Sequence, residues 1–310
     1  MVAMLVFVLF SLLCVRISSS KPGGTPWCYD SAKSCGPNNW SSGYKTCAGL
    51  RQSPVDLDTF LGTFAEFPPI TLTGYDTISL SSWNLQNDGH SVVASLPTGM
   101  VLSGAGLNGP YHAIQFHFHW GSAAKPGSEH SLNKLQFPME LHIVHYSSRY
   151  GSVSNAKRHG DGLAVLGVFL QLGPSNRALD GIVNALANTR YKGQQTVIPA
   201  MPLASLLPDV HQRGRFARYQ GSLTTPSCDE AVVWTVFLQP ISISLSQMEA
   251  FRNVQATESS SFPQRSMMNN NRPVQPVFGR SILIASSAMT ATPIFLPFCF
   301  LTLSVFPIVM

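Results

Sequence analysis

Charge is what this chain has least of. Asp, Glu, Lys and Arg make up 11% of its 310 residues, against roughly 25% in ordinary soluble domains. No run of five or more basic residues occurs, and the basic residues of RGRFAR at 213–218 are few and scattered. The formal charge is +5; these scattered basic residues are read as a solvated face, and no nucleic-acid partner is expected. Internal repeats are absent, as is any linker rich in Gly, Ser or Pro between residue 21 and about 285, so this region is expected to be one domain.

The charge deficit is partly explained by two apolar ends. MVAMLVFVLFSLLC opens the chain and RISSS follows, with Ser18 and Ser20 suited to a signal peptidase; residues 1–20 are expected to be a signal peptide. The stretch has no basic n-region, but at about 14 apolar residues it falls short of the ~20 that a spanning helix needs. Further on, SSAM (286–289) and a polar spacer TATP precede IFLPFCFLTLSVFPIVM. Small residues, spacer and apolar tail form the pattern that directs attachment of a glycosylphosphatidylinositol (GPI) anchor, with Ser286 or Ser287 as the acceptor. Pro293, Pro297 and Pro307 and the lack of a basic stop weigh against a spanning helix. The expected organisation is thus a signal at 1–20, one folded domain at 21–285 and a removed attachment signal at 286–310.

Cysteine is sparse but informative in such a chain. Of six cysteines, Cys14 would leave with the signal and Cys299 with the tail, so Cys28, Cys35, Cys47 and Cys228 remain. An even set in an exported protein implies two disulfides, and three connectivities are open. Asn39-Trp40-Ser41 is a glycosylation acceptor among them.

Helix signals are also few. Ser175 is expected to cap a segment carrying Leu179, Ile182, Val183 and Leu186, and Ser246 with Glu249 reads as a capping box before Phe251. Strand signals dominate: ISLSSWNLQN, HSVVASL, HAIQFHFHW, MELHIVHY, LAVLGVFLQL and AVVWTVFL lie between turn-forming residues, with Asp88-Gly89 as a hairpin turn. The fold class is therefore mainly β (α+β), a single domain with a large central, mostly antiparallel β-sheet flanked by short helices.

Within QFHFHWG (115–121), strand alternation puts Gln115, His117 and His119 on one face and Phe116 and Phe118 on the other. Two imidazoles side by side on a stiff strand make a bidentate metal site, though the H-x-H pattern alone is weak. MELHIVHY adds a third, because Glu140, His142 and Val144 share a face while His145 points away. Glu140 and Gln115 are candidates to accept ring N–H protons and fix tautomers. Three nitrogens without a fourth protein ligand leave zinc an open, catalytic position.

FHFHW and MELHIVHY, with GSEHS (127–131), GSLTTPSCDE (221–230), VVWTVF (232–237), RQSPVDL from 51 and NRPVQP from 271, resemble the alpha-class carbonic anhydrases over about residues 27–280. The cysteine pattern and apolar tail are most similar to the GPI-anchored member of that family. The resemblance implies a zinc cleft with His117, His119 and His142 as ligands, and reversible hydration of CO2 to bicarbonate by zinc-bound hydroxide. It implies that Thr224 donates to Glu129 and orients the nucleophile, and that Val144, Val165, Leu223, Thr225 and Trp234 line the substrate pocket. His90 is implied as proton shuttle, with Tyr29, Asp88 and Val93 along the water path. Apolar Val93 and acidic Asp88 depart from the commonest polar lining. The implied disulfides are Cys28 with Cys35 and Cys47 with Cys228. Sulfonamides are implied inhibitors, bicarbonate transporters implied partners, and the outer face of the plasma membrane the implied location. A catalytically inactive surface-binding relative would be expected to lack one or more zinc histidines, and an unrelated zinc hydrolase would need a separate acid/base carboxylate by the metal.

Overall fold

The computed structural model describes residues 25–78 and 81–285. The expected signal peptide, Cys14, Cys299, Ser286, Ser287 and the apolar tail lie outside them. The described strands are β1 (Asp56–Leu57), β2 (Thr63–Ala65), β3 (Ile70–Thr73), β4 (Trp83–Asn87), β5 (Val92–Ser95), β6 (Val101–Gly104) and β7 (Tyr111–Trp120). They continue with β8 (Ser131–Leu132), β9 (Met139–Ser147), β10 (Leu163–Leu172), β11 (Gln195–Ile198), β12 (Phe216–Gly221), β13 (Val232–Ile243) and β14 (Leu283–Ala285). The helices are α1 (Trp40–Gly43), α2 (Val153–Ala156), α3 (Asp180–Ala185) and α4 (Leu245–Arg252), with short 3-10 turns between strands.

Twelve strands share one sheet in the order β11-β4-β5-β7-β9-β10-β13-β12-β14-β2, with β6 bridging β3 and β7 off that path. Nine of its ladders are antiparallel, as the strand-rich sequence predicts; β10 with β13 and β14 with β2 are parallel. The Asp88-Gly89 turn joins β4 to β5, closed by the Asp88 N–H donating to the Ser91 carbonyl at 3.1 Å.

Strand alternation divides the apolar side chains between two cores. Phe116, Phe118, Leu141, Ile143, Leu166 and Val168 point to one side, where Ile182 of α3 and Phe251 of α4 cover them. Val144, Val165, Phe169, Trp234 and Val236 point to the other. Central strands β9 and β10 are buried on both faces; β10 accordingly reads as a nearly continuous apolar run, whereas β9 also buries Glu140, His142 and His145.

A bulge in β7 decides which side the histidines take. Tyr111 and Ala113 join the same core as Phe116 and Phe118 although they differ in parity, because the register with β9 slips between Ala113 and Gln115. One extra residue there reverses the alternation. His117 and His119 consequently share the face of Val144 and Trp234.

Two helix starts differ from expectation. Asn176, not Ser175, caps the turn before α3, accepting from the Ala178 N–H at 3.1 Å; its own N–H donates to Gln247 Oε1, which holds it extended. The capping box of α4 is Ser244 with Gln247, not Ser246 with Glu249. Ser244 directly follows β13, is still extended and has cap geometry, whereas Ser246 is already inside the helix and Glu249 pairs with Arg252 at 2.6 Å.

Candidate metal centre

Antiparallel pairing sets His117 directly opposite His142, and His119 opposite Glu140. The three rings converge, with centroids 5.0 Å apart for His117 and His119, 5.2 Å for His117 and His142, and 4.7 Å for His119 and His142. One ligand atom from each lies within 4.8 Å of the others.

Each ring has one nitrogen committed to a protein acceptor. His117 Nδ1 lies 3.0 Å from Gln115 Oε1, His119 Nδ1 2.7 Å from the Asn270 carbonyl, and His142 Nε2 2.7 Å from Glu140 Oε1. Those acceptors require N–H on the named atoms, so in the neutral rings the lone pairs sit on Nε2 of His117, Nε2 of His119 and Nδ1 of His142. Burial, followed by the mutual influence of the three rings, pushes His117 well below the usual imidazole range; burial likewise lowers His119. Neutral rings are the form that ligates metal.

The donor set fits zinc. His119 Nε2 and Glu129 Oε2 are both buried without hydrogen-bond partners, and they lie 3.4 Å apart. The unpartnered His119 Nε2 is a lone pair free for a metal, and the Glu129 carboxylate beside it makes the buried site favourable to a cation. A second grouping of His130, Glu140 and His142 is geometrically compact, but its atoms are already joined by hydrogen bonds. Glu140 Oε1 accepts from His130 Nδ1 at 2.7 Å, and His130 Nε2 meets the Tyr219 hydroxyl at 2.6 Å. That cluster supports the first from behind.

Thr224 is buried in the loop after β12, and the Cys47–Cys228 disulfide ties this loop to the region of 45–48. The expected link from Thr224 to Glu129 is not made. Glu129 Oε1 accepts the Arg272 N–H at 2.8 Å, and Oε2 turns toward His119. Val144, Val165 and Trp234 are buried together with Leu223 packed on them, and the Trp234 ring stands 4.8 Å from His142. Thr225 contributes its carbonyl, which accepts the Cys228 N–H at 2.7 Å.

His90 lies on the wall of a cleft of about 480 Å³ also lined by Tyr29, Lys125, Arg265 and Asn270. Its ring stacks on Trp27, centroids 3.8 Å apart, with Nε2 3.2 Å from the Trp27 carbonyl. Burial lowers its pKa, with Arg265 and Lys192 adding to the effect and the Trp27 carbonyl and Asp88 opposing it. Asp88 does more than line a path. Its Oδ1 accepts from the His90 and Ser91 N–H groups, both at 2.7 Å, and so shapes the turn that presents the imidazole. Val93 faces His117 across the β5–β7 ladder. The Tyr29 hydroxyl is buried without a partner, and burial, then Glu129, pushes its pKa up.

Both implied disulfides are present, Cys28–Cys35 and Cys47–Cys228. Asn39 is exposed. Three contributors were not singled out from the sequence. Asn270 accepts from His119, and its amide donates to the His90 carbonyl at 2.9 Å. His130 completes the Glu140 network, and Arg272 holds Glu129 while bonding Gln52 and Ser53. Their only sequence signal is position: His130 inside GSEHS, Arg272 inside NRPVQP and Asn270 immediately before it.

Residues 35–286 match the family model described as eukaryotic-type carbonic anhydrase. The chain is 39% identical over 273 residues to carbonic anhydrase 12 of Homo sapiens, covering 86% of this chain and 75% of that protein. It is 37% identical over 289 residues to carbonic anhydrase 15 of Mus musculus, covering 90% and 89% respectively.

Proposed function

This chain belongs to the eukaryotic-type carbonic anhydrases, zinc lyases, and from that premise we propose that it hydrates CO2 reversibly to bicarbonate and a proton at the outer membrane surface. The observation that carries the reading is the convergence of three imidazole lone pairs, each oriented by its own protein acceptor.

His117, His119 and His142 hold the zinc. The metal supplies Lewis acidity that lowers the pKa of water, a property for which this enzyme family is itself the standard case. The chain's own groups do the rest. Gln115, the Asn270 carbonyl and Glu140 keep the ligand nitrogens unprotonated and aimed. Glu129 Oε2, a buried acceptor without a partner, is the atom to which the Thr224 hydroxyl donates a hydrogen bond during the reaction. The hydroxyl oxygen then accepts in turn, which selects a nucleophile with a proton to offer. Val144, Val165, Leu223 and Trp234 make an apolar wall where a nonpolar gas displaces weakly held water.

His90 carries the released proton from the site to solvent. Its lowered pKa keeps the ring neutral and ready to accept near pH 7. The stack on Trp27 holds it at the cleft wall.

Location at a cell surface rests on several features together. Two disulfides suit an oxidising compartment, Asn39 is an exposed glycosylation acceptor, and the segments at 1–20 and 286–310 have signal and attachment-signal sequences. With the cysteine pattern these favour the GPI-anchored branch, attached through Ser286. Bicarbonate transporters in the same membrane are the fitting partners, and sulfonamides the fitting inhibitors.

The deciding experiment is ¹⁸O exchange between CO2 and water on protein of measured zinc content. Exchange that follows zinc occupancy and stops with a chelator or sulfonamide is expected; zinc-loaded protein without exchange would leave a binding protein instead.

A further inference from the structure

The far edge of the sheet is conspicuously apolar. Phe60 is 84% exposed, Leu61 85% and Phe64 69%; three large apolar side chains within five residues form a patch of the kind that marks an interaction surface. They are not carried on a loose loop. Asp58 Oδ1 accepts from the N–H groups of Phe60 and Leu61 at 2.9 Å each, and the Gly62 N–H donates to the Asp58 carbonyl at 2.9 Å. The turn satisfies its own backbone and presents side chains outward.

This edge is also where the described chain stops. β2 runs parallel to β14, pairing Phe64 with Ile284 and Ala65 with Ala285. Gly62 sits so close to β14 that an added Cβ would lie 2.6 Å from Ile284 Cγ1. Directly beyond Ala285 the sequence continues through SSAMTATP into the apolar run at 294–310. A lipid attachment in that segment, or burial of the run in lipid, would tether the patch within a few residues of a bilayer, where local concentration favours even weak contact.

We infer that Phe60, Leu61 and Phe64 seat this edge in the bilayer interface, an inference that rests on the membrane-surface reading above. Charge identifies the kind of lipid. Lys134 adjoins the turn through Asn133, whose Oδ1 accepts the Thr59 N–H at 2.8 Å, but the three side chains that enter lipid are uncharged and no Lys or Arg lies between Arg51 and Lys125 in the sequence, so their contact is apolar and depends little on anionic headgroups or salt.

The test places an indole on each edge of the sheet in the full chain, by Phe60→Trp and separately by Val197→Trp. Val197 is 67% exposed on β11, at the opposite edge. Each variant is reconstituted in vesicles of phosphatidylcholine with brominated acyl chains and compared with the parent chain. The added emission from Phe60→Trp should fall by half or more relative to unbrominated vesicles, that from Val197→Trp should be unchanged, and added phosphatidylserine or salt should make little difference. Equal quenching of both, or of neither, overturns the inference. So does a dimer in detergent that Phe64→Ser abolishes, since a second copy would then own the edge. Release of the chain by phosphatidylinositol-specific phospholipase reports on the anchor alone. A chain that is released but never quenched keeps the anchor and loses the edge contact; a chain that is quenched but not released does the reverse.

Discussion

Oε1 of Glu140 accepts the Nε2 proton of His142 at 2.7 Å, and that bond decides which nitrogen of His142 faces the other two rings. The carboxylate is held from every side. Oε1 also meets His130 Nδ1, and Oε2 accepts the N–H groups of Glu129 and His130 at 2.9 and 2.8 Å. Burial alone pushes the carboxyl up, but His130 and His142 beside it hold it well below the usual carboxylate range. An ionised acceptor deep in the sheet thus links metal affinity to fold.

Glu140→Gln substitutes an amide with two donors for an acceptor-only group. It cannot keep both oxygens accepting, so His142 loses its fixed tautomer. Zinc affinity is expected to fall about 10- to 100-fold, measured by competition with a fluorescent chelator. Unchanged affinity would show that backbone position, not Glu140, aims the ring.

His90→Ala removes the proposed shuttle without touching the zinc ligands. Turnover in weak buffer is expected to drop about tenfold or more, with added imidazole restoring much of it. Stopped-flow CO2 hydration reads both effects, and a variant as fast as the parent would dismiss the role.

His145 gives a stability change with a defined pH window. It is fully buried, with Nδ1 3.0 Å from the Ala164 carbonyl and Nε2 bonded to the Tyr75 hydroxyl, and burial lowers its pKa to about 4. Unfolded chains bind that proton near pH 6.5, so the native state is favoured above 6.5 and loses this advantage as pH falls toward 4. The total is about 3 kcal/mol at 1.36 kcal/mol per pKa unit. His145→Gln should unfold at lower urea at pH 7 yet show a flatter decline between pH 6.5 and 4 than the parent. Parallel declines would reject the assignment.

Cys47→Ser with Cys228→Ser frees the Thr224 loop and opens a closure of 181 residues. Stability is expected to fall by about 2–5 kcal/mol, read from urea unfolding at fixed zinc. Activity should fall as well while zinc content is kept, because Thr224 and Leu223 lose their anchor but the three histidines do not.

The three-histidine cluster was legible because chemistry and periodicity coincide in FHFHW and MELHIVHY, where a period of two puts these histidines on one face with the orienting residues Gln115 and Glu140. The disulfide partners were legible only through resemblance, since four cysteines admit three pairings on arithmetic alone. Asn270 and His130 were not singled out. Asn270 acts on His119 through its backbone carbonyl, which every residue has, and lies 151 residues away along the chain. The helix starts misled for a local reason: a Ser with a suitable residue three positions on occurs in two registers at 244–249. Only the end of β13 selects between them.

By itself, the order of residues determined a strand-rich fold, a paired cysteine set and three imidazoles spaced for one face, because these follow from side-chain chemistry and from the two-residue repeat of a strand. Tertiary structure decided the rest. A one-residue bulge in β7 chose the face, the pairing with β9 set His117 against His142, and distant acceptors selected the nitrogens that converge. Those outcomes depend on register and burial between segments far apart in the chain, for which local composition carries no signal.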